Sequence, residues 1–278
     1  MNIAVVGLGL IGGSICKAIK KYTDHTCFGL DTDPKVLTAA LADGSIDKKI
    51  CADGLNGADM VIICLYPEQI ISFATEHINK FKKGATIIDT GGIKTEICEK
   101  LYPVFEGSGV DFIGAHPMAG REYSGYAHSM PDLFKAASFI ITPYPNTSAE
   151  KIGLIKALTK QLGFEKFVIA TPQSHDKIIA YTSQLAHIVS NAYVKSPTID
   201  AKAGFYAGSF LDLTRVAKLN EDMWCSLMMQ NQKFLAAELK NIIENLNRYL
   251  SAFESGDKDC LHALLREGRE IKEKSEEE

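Results

Sequence analysis

Residues Gly7-Leu8-Gly9-Leu10-Ile11-Gly12-Gly13-Ser14 decide how the first part of this chain folds. They follow the apolar run Ile3 to Val6 and precede a helical pattern that extends to about Lys21. A buried strand, a glycine turn and a helix in this order form the first half of a β-α-β unit. The stretch therefore predicts an α/β fold that begins at the N-terminal end of the chain.

The spacing of the glycines indicates what the turn binds. Gly7 allows a tight turn, Gly9 lets the backbone approach a pyrophosphate, and Gly12 lets the helix pack closely on the strand. The first-turn residues Leu10 and Ile11 would present amide N–H groups to the same anion. These five residues are the predicted phosphate-binding part of a dinucleotide site.

An acidic residue follows the second predicted strand at the expected distance. The strand Thr26 to Leu30 ends at Asp31, whose carboxylate can accept hydrogen bonds from the ribose hydroxyls of a dinucleotide. A carboxylate at this position repels a 2′-phosphate. The sequence therefore predicts NAD rather than NADP as the cofactor.

Composition excludes several other classes of protein. The chain has 278 residues, 46% of them hydrophobic, with 30 basic and 34 acidic residues, which indicates a globular protein without the basic surface that binds nucleic acid. The seven cysteines contain no C-x-x-C pair, so neither a disulfide framework nor a metal site is expected. No signal peptide or membrane-spanning stretch is evident, and we expect a cytoplasmic protein with no membrane partner.

Strands and helices continue to alternate up to about residue 170. Further strands are predicted at Met60 to Cys64, Ala85 to Ile88, Asp111 to Ala115, Phe139 to Thr142 and Phe167 to Ala170. Beyond Thr171-Pro172 the pattern is helical only. We therefore predict a Rossmann-like, mostly parallel sheet over residues 1–170, followed by an all-α domain over residues 171–278.

Two further segments lie at the predicted carboxyl edge of the sheet. The strand ending at Ile88 leads into a second glycine turn, in which Thr90 and Gly91 could line the nicotinamide. The next strand ends at His116, and we expect Pro117 to stop it there. A histidine at this edge is well placed for proton transfer to or from a ligand.

The motifs in this order resemble the prephenate and arogenate dehydrogenases of tyrosine biosynthesis. The most specific block is His116-Pro117-Met118-Ala119-Gly120. The resemblance spans nearly the whole chain and also rests on Gly7 to Ser14, Asp89-Thr90-Gly91-Gly92-Ile93-Lys94, Ser183-Gln184-Leu185-Ala186-His187, Asp212 to Ala217 and Met223-Trp224.

The resemblance implies a reaction and a set of site residues. It implies NAD-dependent oxidative decarboxylation of prephenate to 4-hydroxyphenylpyruvate, or of arogenate to tyrosine, with His116 as the catalytic base. Arg215 would bind a carboxylate of this small-molecule substrate. The other residues that it places near the substrate are His187, Gln184, Gly208 and Trp224, and we also expect a substrate contact from Ser124.

The chain departs from the family pattern at two of these positions. The family usually has a serine at the position of Gly92, where its hydroxyl can bond the ring hydroxyl of the substrate, and a histidine at Gln184. Glycine has no side chain to donate, so Thr90, Ser124 or a water molecule could supply the missing contact. Gln184 offers a neutral amide where a titratable ring is usual.

Helical periodicity suggests how the second domain is used. The polar or small residues from Asp176 to Asn191 form one stripe, which would face either water or a wet cleft. Glu221 to about Phe253 reads as one continuous helix that is too long for the domain. Either it pairs with a second copy in a homodimer, as the resemblance implies, or it forms a hairpin with the next helix.

Two other functions remain compatible with the sequence. A β-hydroxyacid dehydrogenase would also combine this sheet with a helical domain, and it would need a lysine there, such as Lys177 or Lys195. A non-catalytic NAD-binding sensor is the second alternative, favoured by the glycine at position 92.

Overall fold

The computed structural model describes residues 1–121 and 123–276, and within them eight strands form one sheet in the order β3-β2-β1-β4-β5-β6-β7-β8. β7 runs antiparallel to β6, and the other neighbouring strands are parallel. The predicted Rossmann-like, mostly parallel sheet is confirmed. The strands are β1 Asn2–Val6, β2 Thr26–Leu30, β3 Lys48–Lys49, β4 Met60–Ile63, β5 Thr86–Asp89, β6 Asp111–Pro117, β7 Ser138–Thr142 and β8 Lys166–Ile169.

Helices cover both faces of the sheet. Successive residues of β1 point to opposite faces, so that Ile3 and Val5 belong to one hydrophobic core while Ala4 and Val6 belong to the other. Strand order reverses between β1 and β4, which opens a crevice at the carboxyl ends of these strands. The helices of this part are α1 Leu10–Tyr22, α2 Pro34–Ala42, α3 Pro67–Glu76, α4 Thr95–Phe105 and α5 Ala149–Gln161.

The first glycine turn is packed too tightly for side chains. Gly7 has a φ of 83°, and a Cβ at this residue would lie 2.5 Å from the carbonyl oxygen of Cys64. A Cβ on Gly12 would lie 1.9 Å from the carbonyl oxygen of Gly7. The turn therefore requires glycine at both positions for backbone reasons alone.

Strand β6 extends further than expected. We expected Pro117 to stop the strand at His116, but His116 and Pro117 pair with Ile140 and Phe139 of β7. The amide of Ala115 points away from β7 and donates to the Asp89 carboxylate. Pro117, two residues later, points the same way, beyond the end of β5, so that its missing N–H removes no ladder bond.

The described residues after β8 form helices. These are α6 Pro172–Ile179, α7 Ala186–Tyr193, α8 Gly208–Thr214, α9 Glu221–Gln230, α10 Gln232–Ser255 and α11 Lys258–Glu276, with a π-helical segment at Ala180–Leu185 between α6 and α7. None of the helices in residues 1–121 and 123–276 is long and apolar enough to cross a membrane.

The prediction of one continuous helix from Glu221 to Phe253 is wrong at one position. It breaks at Asn231, which separates α9 from α10 with a φ of −112° and a ψ of 18°. The Asn231 side chain is buried and donates to the carbonyl oxygen of Asp176 and to Oε1 of Gln184. These tertiary bonds compensate for the interrupted helix. α10 then forms a hairpin with α11, in which Arg248 pairs with Glu267.

A buried ion pair holds the turn between β5 and α4. Lys94 and Asp89 both have fully buried side chains and form a salt bridge. Asp89 also accepts hydrogen bonds from the backbone N–H groups of Gly91 and Ala115, and Lys94 donates to the carbonyl oxygen of Ala115 at 2.7 Å. The pair thus joins the turn to the adjacent strand β6, which carries His116.

Lys94→Met should strongly destabilise the protein, because it leaves the Asp89 carboxylate buried without its counterion. Breaking a buried pair typically costs about 3 to 5 kcal/mol. The free energy of unfolding in urea measures the effect. Lys100→Met is the matched control, since Lys100 lies on α4, which follows Lys94, and forms an exposed pair with Glu96, for which a loss below about 1 kcal/mol is expected. Equal losses in the two variants would contradict a stabilising role for the buried pair.

Candidate active site

The first glycine turn has the features of a phosphate-binding site. Gly9 precedes α1 and provides no side-chain cap for its first amides. A Cβ built on Gly9 would meet nothing within 4 Å, so that the backbone is open to an approaching ligand. Leu10 and Ile11 form the first turn of α1 and are half-buried. The residues present therefore fit a pyrophosphate at the N-terminus of α1.

Asp31 lies beside this turn at the end of β2. Its carboxylate accepts a hydrogen bond from the backbone N–H of Leu8 at 2.6 Å and another from the N–H of Asp33 at 2.8 Å. These bonds fix an acidic group at the position where the ribose of a dinucleotide bound to the turn would lie. The arrangement fits NAD, because a 2′-phosphate would meet this negative charge.

The second glycine turn lies on the same edge of the sheet. Thr90 donates its backbone N–H to the carbonyl oxygen of Ile63 at 3.0 Å, which ties the turn to the end of β4. Gly91 is buried, and a Cβ there would lie 2.7 Å from a methyl group of Ile97. At Gly92 a Cβ would lie 3.5 Å from Leu227 of α9, so that the helical region closes over this turn.

His116 is joined to two residues that the sequence analysis did not select as site residues. Its Nδ1 lies 2.9 Å from Nε2 of His175, and Nδ1 of His175 lies 2.7 Å from Oδ1 of Asp176. The Asp176 carboxylate also accepts the backbone N–H groups of Lys94 at 2.7 Å and Thr95 at 2.8 Å. His175 and Asp176 lie on α6, so His116 on the sheet is held by the first helix that follows β8.

Burial sets the ionisation of these groups. It lowers the pKa of His116 well below that of free histidine, and the neighbouring His175 and Lys94 act in the same direction. Burial also lowers the pKa of His175, although the hydrogen bond to Asp176 opposes this effect. Burial raises the pKa of Asp176, but hydrogen bonds from His175, Thr95 and Lys94 outweigh it, and the net shift is downward. At neutral pH the site therefore contains two neutral imidazoles and one carboxylate.

His187 and Trp224 form a pair on the helical side. Their rings are 4.0 Å apart between centroids and inclined by 32°. Nδ1 of His187 lies 2.9 Å from the carbonyl oxygen of Ser183 and donates to it. Trp224 is on α9, one turn before Leu227, so the pair belongs to the helix that closes over Gly92.

Gln184 has a different environment from the one expected. Its side chain is only 2% exposed. Nε2 donates to the carbonyl oxygen of Leu227 at 3.1 Å, and Oε1 accepts from Asn231 at 2.7 Å. With both ends of the amide bonded inside the protein, Gln184 links the π-helical segment to α9 and α10. This position favours a structural role over the predicted substrate contact.

The three remaining candidates are exposed. Gly208 begins α8 and Arg215 follows its last residue, while Ser124 lies in the loop after β6. The segment after α8 is connected to α7, which carries His187, because Asn191 donates to the carbonyl oxygen of Ala217 at 3.2 Å. The assignment of these three residues to the substrate stays a prediction.

The polar stripe of the helical region is partly buried, whereas its two candidate lysines are exposed. The stripe from Asp176 to Asn191 faces neither bulk water nor an open cleft along its first half, since Asp176, Ala180 and Gln184 are buried. Lys177 and Lys195, the residues on which a β-hydroxyacid dehydrogenase could rely, are both exposed. A β-hydroxyacid dehydrogenase would require such a lysine close to His116, but neither lysine belongs to the buried network around that residue.

Comparison with known proteins identifies the family. The model "Prephenate dehydrogenase, nucleotide-binding domain" matches residues 15–175, and "Prephenate dehydrogenase, dimerization domain" matches residues 171–267. The chain is 31% identical to a prephenate dehydrogenase of Lactococcus lactis subsp. cremoris, over 99% of this chain and 77% of the relative.

Solved structures share the fold over the full length of the chain. Synechocystis arogenate dehydrogenase has a TM-score of 0.84 at 25% identity and covers 99% of this chain and 100% of its own. Prephenate dehydrogenase from Aquifex aeolicus, in complex with hydroxyphenyl propionate and NAD+, has a TM-score of 0.85 at 24% identity, over 100% of this chain and 98% of its own. With a family model matching more than half of the residues and a relative at 31% identity over nearly all of them, the chain belongs to the prephenate dehydrogenase family.

Proposed function

We propose that this enzyme catalyses the NAD-dependent oxidative decarboxylation of prephenate to 4-hydroxyphenylpyruvate in tyrosine biosynthesis. The observation that carries the proposal is the position of His116 at the same carboxyl edge of the sheet as the two glycine turns, where burial lowers its pKa. Family membership supplies the reaction class.

The chemistry requires a base, a hydride acceptor and a fixed substrate. Bound NAD supplies the acceptor for the hydride that leaves C4 of the ring. His116 takes the proton of the C4 hydroxyl on Nε2, because Nδ1 is engaged by His175. As the ketone forms, the ring carboxylate leaves as CO2 and the ring becomes aromatic, which makes the overall reaction effectively irreversible.

Positioning of the substrate is the task of the helical side. Arg215 would bind a carboxylate so that C4 faces the nicotinamide. His187 and Trp224, which stack on each other, would line the opposite end of the ring. Thr90 and Gly91 would line the nicotinamide from the sheet.

Arogenate is the alternative substrate. It differs from prephenate in carrying an ammonium group in place of the side-chain carbonyl. The similarity to an arogenate dehydrogenase favours it, whereas His187 beside Trp224 supports prephenate through the family resemblance. Gln184, with its amide bonded inside the protein, does not discriminate between them.

We further propose a homodimer formed through α10. In the first half of this helix, Leu235, Leu239 and Ile242 pack in the small helical core. The same face continues through Leu246, Leu250 and Phe253, which are 58%, 53% and 65% exposed. Apolar residues that recur every three or four positions along an exposed helix match the stripe that pairs two helices. A second copy of this chain, which the dimerization-domain match supports, is the proposed occupant.

A cytoplasmic location and the lack of a nucleic-acid partner remain predictions from the sequence.

Turnover tests the proposed reaction and the role of His116. NADH absorbance is followed with prephenate and with arogenate, and we expect the higher kcat/KM for prephenate. His116→Asn should lower kcat by about 10² to 10⁴ with unchanged affinity for NAD, since it removes the base alone. Near-normal turnover by His116→Asn would refute the assignment of the base.

Arg215→Ala should mainly raise KM, by about 30-fold for a loss of about 2 kcal/mol in substrate binding.

The pH profile should reflect the lowered pKa of His116. The neutral form is the active base, and a depressed pKa keeps it neutral to lower pH than a free histidine with its pKa of 6.5. We expect kcat/KM for prephenate to be constant above about pH 6.5 and to fall only below it. An acidic limb at or above pH 6.5 would be inconsistent with a buried neutral base. NAD affinity, measured over the same range, is the control for loss of cofactor binding.

Leu246→Glu combined with Leu250→Glu should convert the dimer to a monomer, because two charges would be buried in the proposed interface. Sedimentation equilibrium measures the mass. Asn241→Glu is the control, since it adds a charge at an exposed position of the same helix outside the apolar stripe. A double variant that remains dimeric would show that α10 does not form the interface.

A further inference from the structure

The chain from His116 through His175 to Asp176 constrains where each proton lies. Oδ1 of Asp176 accepts the N–H of Lys94, and Oδ2 accepts the N–H of Thr95. Two backbone donors on the carboxylate favour its ionised form, which is an acceptor only. Nδ1 of His175, at 2.7 Å from Oδ1, must therefore carry a hydrogen and donate it.

The remaining protons follow from the chemistry of imidazole. A neutral imidazole has one donor nitrogen and one acceptor nitrogen. Since Nδ1 of His175 donates, its Nε2 accepts. The contact of 2.9 Å between this Nε2 and Nδ1 of His116 then requires a hydrogen on the Nδ1 of His116. Nε2 of His116 is left with a lone pair.

We propose that His175 and Asp176 are positioning residues that hold His116 in the tautomer with its proton on Nδ1, so that Nε2 is free to take the proton of the reacting hydroxyl. The role in turnover rests on the proposed function, whereas the tautomer does not.

The same chain stabilises the charge that develops on His116. When Nε2 accepts the proton, His116 becomes an imidazolium that donates through Nδ1 to His175, and the negative charge of Asp176 lies one residue further along. Lys94 on the β5–α4 turn also acts on His116 and lowers its pKa, and the Lys94 ammonium is itself paired with the Asp89 carboxylate. Gly92 contributes no side chain here, so His175 is the side chain that orients the base.

A purely structural account of His175 makes different predictions. The side chain is 2% exposed and could simply fill space between α6 and β6. Its loss would then lower stability and affect all kinetic constants without changing the proton position on His116. The two accounts are separated by measuring the tautomer directly and by comparing two substitutions of similar size.

The tautomer is measured without substrate by nitrogen-15 NMR of protein labelled at histidine, with His116→Asn and His175→Leu used to assign the signals. We expect the hydrogen of His116 on Nδ1 in the wild type. In His175→Leu this preference should disappear, because no acceptor remains at Nδ1. A wild-type His116 that carries its hydrogen on Nε2 would overturn the inference, whatever the enzyme turns over.

Kinetics then separate an acceptor from a space-filling group. His175→Leu should lower kcat by about 10²-fold, with KM for prephenate and for NAD within about threefold of the wild type. His175→Gln can donate its amide to Asp176 and offer Oε1 to His116, and it should recover kcat to within about tenfold. Ser174→Ala, an exposed neighbour on α6, is the control for changes in the helix.

The outcomes are distinguishable. Equal losses of kcat in His175→Leu and His175→Gln, at wild-type melting temperature, would overturn the role of His175 as an acceptor. If His175→Leu fails to fold, the wild-type spectrum and His175→Gln still test the inference. If the spectrum is as expected but neither prephenate nor arogenate is turned over, the proposed function fails and the assignment of the tautomer stands.

Discussion

The buried ion pair between Asp89 and Lys94 is the constraint on which the site depends. Neither side chain contacts solvent, and an isolated charge at that depth would be very unfavourable. The pair is completed by backbone groups of Gly91 and Ala115, so that the turn after β5 and the end of β6 are held in one arrangement. The backbone N–H of the same Lys94 is bonded to Asp176 of α6. The charges thereby connect the sheet, the turn and the helical region around His116.

Most of the fold could be predicted from the sequence because its signals are local. Buried strands, glycine turns and helix-starting prolines each act over fewer than about ten residues, and β2 was predicted at its observed bounds. The short edge strand β3 has two lysines and no apolar pattern, and it was missed. The break at Asn231 was also missed. It depends on hydrogen bonds to Gln184 and Asp176, which precede Asn231 in the chain by 47 and 55 residues.

The site was only partly predictable for the same reason. His116 could be selected because it ends an apolar run in a recognisable block of residues. His175 and Asp176 look like ordinary residues near the start of a helix, and only the docking of α6 against α4 brings them to His116. The one available signal was an adjacent histidine and aspartate just after the cap at Thr171 and Pro172. The internal bonds of Gln184 could not be predicted, because the π-helical segment turns its amide towards Leu227 and Asn231, which no 3.6-residue periodicity indicates.

The arrangement around His116 balances two opposing requirements of the base that we propose it to be. Burial lowers its pKa, which keeps the imidazole neutral and ready to accept a proton but would make the resulting imidazolium unfavourable. A carboxylate in direct contact with His116 would stabilise the buried imidazolium. It would also raise the pKa of His116, so that the imidazole would already be protonated before the substrate reacts. Asp176 is separated from His116 by the imidazole of His175. Its negative charge therefore stabilises His116 mainly after proton transfer, when Nδ1 of His116 becomes a stronger donor to His175. The separation of base and carboxylate by His175 is therefore a physical reason why a histidine, and not merely an apolar residue of similar size, occupies this buried position.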